Sequence, residues 1–537
     1  MNKKKTLLPL AGALLLSLSS CYFFFELNPK TSSSDSKNQL EQKVTYKTPS
    51  YTSSFSSDNL NIDTLGLGYG YHYLPKSGPD KILVVPFQTK DYKFTTSELT
   101  LLKNAFFGEA SDTGWQSVAS YYNTSSYGAL TITGTVTDPV TLNATASELE
   151  ETASKQSSKN TTYTSTLLPQ VLSALDDSID FSDYDTDGDG YIDAVWLVYA
   201  PPYNGNSDLY WAYTTWATSN TTFDGKKACL YSWASKDFLT AGKYKKTSLL
   251  GDTYLADAHT FIHETGHMLG LDDYYSYDAG QDKNSSNYYD SPLGGVDMMD
   301  FNIGDHDAFS KYLLGWKTPT LITEEYLGAN NNTLTLSSFT ETGQSYLLPV
   351  YSSDDKVSYN NTPFDEYLLI EYYTPTGLNE KDSESVYTAN LGTYTKPGIL
   401  VTHINATIGK MVAKGNNVVW DGYAYDKLPS YSAAWGKSYL YWYLYSNTKS
   451  YCFEDSLDDS KLSFYRGRLI SLLPATGHRI DGNKTGYSKN TSLYTQGKTF
   501  DSSLYPNFVF DDGSKPKYGF RVATTSSSSC QLTFKDF

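Results

Sequence analysis

Residues 259–275 read HTFIHETGHMLGLDDYY. His263 and His267 stand four apart, with Glu264 directly after the first. On an α-helix that spacing stacks both imidazoles on one face, a turn apart. Both can then reach one zinc ion, with Glu264 within reach of the ion's water. Zinc lowers the pKa of such a water to about 7, and a carboxylate takes the proton as the water attacks a carbonyl carbon. A third protein ligand is still required. Gly270 follows the second histidine, where a helix ends readily in a left-handed residue. The chain can reverse there, and Asp272 and Asp273 come next. A chain with only seven histidines rarely sets two of them around a glutamate in this way by chance.

In the metzincin pattern H-E-x-x-H-x-x-G-x-x-H the third ligand lies six residues beyond the second histidine. Asp273 holds that place, and a carboxylate oxygen is an acceptable zinc ligand. The spacing favours it over Asp272. Downstream, GGVDMMDFNIGDHDAFSKYLLGW (294–316) offers Met298 and Met299 for the methionine floor of such sites. The plainer role of those methionines is to fill core gaps. Gly294, Gly295 and Gly304 favour a tight loop. His306 and Tyr274 are low-ranked candidates for stabilising an oxyanion.

A second cation site is written in DYDTDGDGYID (183–193). Counted against a calcium loop, Asp185, Asp187 and Asp189 take positions one, three and five, with Gly190 at six. Tyr191 can offer its carbonyl at seven, and Asp193 stands at nine. Trp196 occupies position twelve, so the usual bidentate glutamate is missing. Unneutralised, these carboxylates would repel one another. Millimolar external calcium is enough for a weak site.

The elements that must carry these residues are legible in outline. KILVVPFQT (81–89) and AVWLVYA (194–200) read as buried strands. Helices are expected after the caps Thr95, Thr96 and Ser97, in the first part of 117–136, over 146–178 and through the histidine segment. ALTITGTV, ending at 136, alternates like a strand. Beyond about residue 320, short strands such as EYLLIEYY and GILVTHIN alternate with turn residues. The expected fold class is α+β: a mixed sheet with an active-site helix, then a β-rich C-terminal domain.

The chain has 537 residues, 39% of them hydrophobic, and a formal net charge of −17. That is ample for a core, and the acidity argues against nucleic acid as a partner. The start, MNKKKTLLPLAGALLLSLSSC, has a basic head, an apolar run and small residues, which is an export signal. Its last residues resemble the lipobox of bacterial lipoproteins, which implies lipid attachment at Cys21. A Ser-rich stretch follows and reads as a tether with a reach of roughly 35 Å. The expected organisation is a signal peptide over 1–21, a tether over 22–75, a zinc peptidase domain over 76–320 and the β-rich domain over 321–537. Cys229, Cys452 and Cys530 form no disulfide framework. A Cys452–Cys530 bridge is conceivable, and buried free thiols are the favoured reading.

Taken together, the chain resembles the immune inhibitor A family of secreted bacterial zinc metallopeptidases. HETGHMLGLDDYY is similar to that family's H-E-x-x-H-x-x-G-x-x-D signature, which implies zinc ligands at His263, His267 and Asp273 and a general base at Glu264. GGVDMMD…AFSKYLLGW is similar to its methionine turn, with Met299 in register. SVASYYNTSSYGALTITGTV resembles the segment before its catalytic region, and the family carries a similar acidic calcium loop. The resemblance covers roughly residues 80–420. Two departures stand out: residues 22–75 are short and Ser-rich for a propeptide, and many members are freely secreted, whereas this chain carries a lipobox. The implied function is a monomeric, zinc- and calcium-dependent endopeptidase acting on proteins or peptides, lipid-anchored at the bacterial surface or released from it. The competing class is an adhesin on an inactive peptidase scaffold, against which the intact His263, Glu264 and His267 speak. A polysaccharide-binding role for the 48 tyrosines rests on composition alone.

Overall fold

The computed structural model describes residues 61–67, 71–155, 161–203, 209–217, 220–248, 251–275, 292–300, 302–384, 394–414, 417–423, 439–443, 445–448, 463–464, 467–480 and 487–537. The signal segment with Cys21, the stretch up to residue 60, and Cys452 lie outside them. In chain order the first unit contains α1 (Ile62–Leu67), β1 (Gly78–Gln88), α2 (Thr96–Phe107), α3 (Val118–Ser125), β2 (Leu130–Val136), β3 (Val140–Thr141), α4 (Ala146–Ser154) and α5 (Thr161–Ser173). It continues with β4 (Tyr191–Ile192), β5 (Val195–Tyr199), β6 (Tyr213–Trp216), β7 (Thr222–Phe223), β8 (Lys226–Ala228), β9 (Leu230–Ser235), α6 (His259–Met268) and α7 (Ala308–Leu313).

The main sheet has the order β2-β1-β5-β9-β6, with β3 also on β1. β1, β2, β5 and β9 run parallel, and β6 lies antiparallel at the edge. Parallel strands are covered on both faces and read as unbroken apolar runs. β1 obeys this with period two: Ile82 and Val84 face the layer holding Phe106, Tyr122 and Phe261, while Leu83, Val85 and Phe87 face Leu149, Leu168 and Val171. Pro86 sits inside this central strand. It falls between Val84, the last partner of β2, and Phe87, the first partner of β3. The missing N–H therefore costs no ladder bond. Capping boxes open α2 (Thr95 with Glu98) and α3 (Ser117 with Ser120).

The tether expected to run to residue 75 ends sooner. Ile62 and Leu65, one helical turn apart, are buried, and so is Leu74. The Leu74 amide donates at 2.8 Å to the carbonyl of Met268, the last residue of α6. Apolar residues at helical spacing, followed by the aromatic run Tyr71–Tyr73, dock this stretch rather than leave it a coil.

The second half is built on an antiparallel-rich sheet in the order Thr320–Leu321, Ser345–Tyr351, Glu366–Tyr373, Gly398–Asn405, Ile470–Leu472. EYLLIEYY and GILVTHIN are strands over their full length. Leu368, Ile370 and Tyr372 face a core shared with a four-stranded sheet, while Tyr367, Leu369 and Tyr373 turn into the core that holds Tyr122 and Trp316. The two halves thus share one core across the boundary expected at 320/321. The architecture is mixed α and β with several sheets. Cys229 and Cys530 are buried free thiols, both pushed up to about 12 by burial. Among the described residues no helix is long and apolar enough to cross a membrane.

Candidate metal centre

α6 lies against β6 and β9 and is wedged by Phe261 between Phe106 and Trp196. The helix ends as the glycine signal requires. Gly270 has φ +99°, its N–H donates to the His267 carbonyl, and the Leu271 N–H donates to the Gly266 carbonyl. This is a Schellman turn. Its reversal carries Asp273 back over the helix. Asp273 Oδ1 stands 2.9 Å from His263 Nε2 and 3.4 Å from His267 Nε2. One donor atom from each of the three residues lies within 4.8 Å of the others. Asp272 is not in the cluster, and burial pushes its carboxyl up to about 7 against the pull of His267.

The other ring nitrogens are spoken for. His263 Nδ1 donates to the Met298 carbonyl (2.9 Å) and His267 Nδ1 to the Leu271 carbonyl (2.7 Å). A carbonyl can only accept, so Nδ1 carries the proton and Nε2 is directed at the cluster. His267 Nε2 is buried and makes no hydrogen bond. Burial opposes a charge on His267, but Asp273 outweighs it and raises the imidazole to about 9. Burial would likewise raise Asp273, yet His267 and His263 hold it well below the usual carboxylate range. His259, one turn earlier on α6, bonds instead to the Asn302 carbonyl (2.9 Å).

Glu264 is 3% exposed. The Thr214 hydroxyl on β6 lies 3.1 Å from its Oε2 and 2.9 Å from its carbonyl, and its single proton serves one of them. Burial pushes the Glu264 carboxyl up, offset in part by His267 and His263. The methionine segment underlies the helix. Gly294 and Gly295 both have φ +82°, the Met298 carbonyl serves His263, and the Met299 carbonyl accepts from the Tyr274 N–H at 2.9 Å. A Cβ on Gly266 would overlap Met299 Sδ and come 3.3 Å from the Tyr122 hydroxyl. Sequence reasoning missed both Thr214 and Gly266. The small residue before His267 was a usable signal for Gly266, whereas nothing in the sequence marks Thr214.

The two oxyanion candidates are core residues. Tyr274 bonds Ser310 (2.9 Å) beside Phe309. His306 is enclosed by Tyr121, Tyr122 and Trp316, with Asp297 3.4 Å away.

In the acidic loop, Asp185, Asp187 and Asp193 bring oxygens within 4.8 Å of one another. Asp189 faces elsewhere: Oδ2 is 2.6 Å from His72 Nδ1, and Oδ1 accepts from the Tyr191 N–H. The Tyr191 ring stacks on His72 with centroids 3.4 Å apart, and its strand β4 pairs in parallel with β8. Asp80 at the head of β1, unnoticed in the sequence, reaches the same neighbourhood through Thr186.

No family model matches the chain, and no curated protein matches it significantly.

Proposed function

We propose that this chain is a zinc-dependent endopeptidase with a metzincin-like first domain, cleaving extracellular proteins or peptides. The observation that carries the reading is the meeting of His263 Nε2, His267 Nε2 and Asp273 Oδ1 within 4.8 Å. Two imidazoles and one carboxylate suit zinc and leave a coordination position open. When bound, zinc supplies Lewis acidity, polarising a carbonyl and lowering the pKa of water to about 7. The rest belongs to the chain. Glu264, oriented by Thr214 and raised by burial, accepts the proton of the attacking water and returns it to the leaving amine. The carbonyls of Met298 and Leu271 fix the two imidazoles. The antiparallel edge strand, the Schellman turn at Gly270 and the methionine turn at Met299 support the metzincin-like reading, and with HETGHMLGLDDYY they support kinship with the immune inhibitor A family.

Calcium at the acidic loop has a structural part in this reading, stabilising the native state by mass action. Residues 1–21 support export with lipid attachment at Cys21, which would hold the enzyme at the cell surface. Casein hydrolysis with and without a zinc chelator tests the proposal. Activity should vanish on chelation and return with zinc. Undiminished hydrolysis by zinc-free protein, or none by protein carrying one zinc per chain, would overturn it.

A further inference from the structure

We infer that Asp80 is a ligand of the acidic-loop cation, completing a four-carboxylate seat with Asp185, Asp187 and Asp193, and that Asp189 instead anchors residues 71–76 through His72. This rests on the calcium reading of the loop and revises its ligand set.

Asp80 is 2% exposed and lies on β1, over a hundred residues from the loop in sequence. Its Oδ1 is 3.1 Å from the Thr186 hydroxyl, which also contacts Asp193 Oδ2. One hydroxyl has one proton and can satisfy only one of the two acceptors. Asp80 Oδ2 is buried and makes no hydrogen bond. The same holds for Asp185 Oδ1, whose companion oxygen Oδ2 is taken by Lys226 and the Gly190 N–H. Two buried carboxylate oxygens from separate parts of the chain are thus left without donors: Asp185 Oδ1 within the cluster, and Asp80 Oδ2 outside the three-carboxylate group and joined to it by the Thr186 hydroxyl. A hard cation that prefers six to eight oxygens resolves both. It also relieves the crowding of like charge among Asp80, Asp187 and Asp193. The loop lacks the bidentate residue at position twelve, and Asp80 supplies a carboxylate from across the fold in its stead.

Asp189 has both oxygens engaged, one by His72 and one by the Tyr191 N–H. From His72 the segment runs to the metal centre. Trp216 Nε1 on β6 donates to the His72 carbonyl (3.0 Å), Tyr71 stacks on Trp216 at 4.0 Å, and the Leu74 N–H donates to the Met268 carbonyl. Asp189 therefore fastens a strap that ends on α6.

The test is calcium titration by calorimetry of the purified full chain after EGTA treatment, beside melting curves in EGTA. Wild type should bind one calcium at this loop. Asp80→Asn should weaken that binding by about tenfold or more, since ligand charge sets affinity. Asp185→Asn, a ligand in either scheme, should weaken it alike. Asp189→Asn should stay within about threefold of wild type while speeding proteolysis within residues 71–76. The Asp80→Asn protein should melt in EGTA at or above wild type, because a buried like charge has been removed. Wild-type affinity in Asp80→Asn, or loss of calcium in Asp189→Asn with Asp80→Asn unaffected, overturns the inference while leaving the calcium loop standing. No calcium bound by wild type removes the calcium reading itself, and the inference with it.

Discussion

The metal centre on α6 and the acidic loop are both clusters of charged donors, yet spacing served them differently. On α6 the proposed ligands ride a regular helix and a defined turn. A separation of four places the two imidazoles, and a left-handed glycine returns Asp273 to them. Every ligand lies within one short stretch, so local geometry decides the outcome. In the acidic loop the backbone is irregular, and what lies across from it decides where each carboxylate points. Asp189 fits the count at position five but turns to His72, while Asp80, on a strand no count would reach, meets the loop through the Thr186 hydroxyl. Spacing is reliable where the frame is regular and local, and weak where distant segments complete the site.

The largest effect should separate the two aspartates beside the helix. Asp273→Ala removes a ligand and should abolish both zinc and hydrolysis, whereas Asp272→Ala should keep nearly full zinc. Metal analysis beside activity checks this, and the reverse pattern would mean that the turn delivers the other carboxylate.

A smaller effect probes the pairing of His267 with Asp273. Asp273 outweighs burial and raises His267 to about 9 from an ordinary 6.5. A raised folded pKa contributes stability that is complete below the unfolded value and is lost as pH rises through the folded one. Metal-free protein should therefore lose melting temperature from about pH 6.5 to pH 9 relative to zinc-loaded protein. A gap between the two curves that stays constant over that window would count against the pairing.

The smallest effect tests the floor. Gly266→Ala places a methyl against Met299 Sδ and the Tyr122 hydroxyl. Overpacking of this kind costs about 1–3 kcal/mol. The thioether can shift, so adding Met299→Ala should recover part of the lost melting temperature. Strictly additive losses would show that the two side chains do not meet.

Much of the frame was legible because it is periodic. EYLLIEYY and GILVTHIN read as strands and are buried along their whole length, and Thr95 caps the helix that its hydroxyl announces. What stayed hidden depends on contacts distant in sequence. Thr214 is an ordinary strand residue until β6 is laid beside α6. The boundary at 320 looked like a division between domains because the pattern changes there. The alternate faces of Glu366–Tyr373, however, bury into two different cores, one of them shared with the metal unit. Residues 61–67 and 71–75 fall within the expected tether because the Ser-rich stretch before them sets the reading for the whole of 22–75, although this part holds no serine and its Ile62, Leu65 and Leu74 are buried.

The central claim is that His263, His267 and Asp273 hold zinc while Glu264 moves the proton. Glu264→Gln tests it most directly, because the amide keeps the shape and leaves the ligands untouched. Zinc content and casein hydrolysis should be measured on the same sample. One zinc per chain with hydrolysis reduced by about 10²–10⁴-fold is the expected result. Hydrolysis near the wild-type rate at full zinc content would contradict the account.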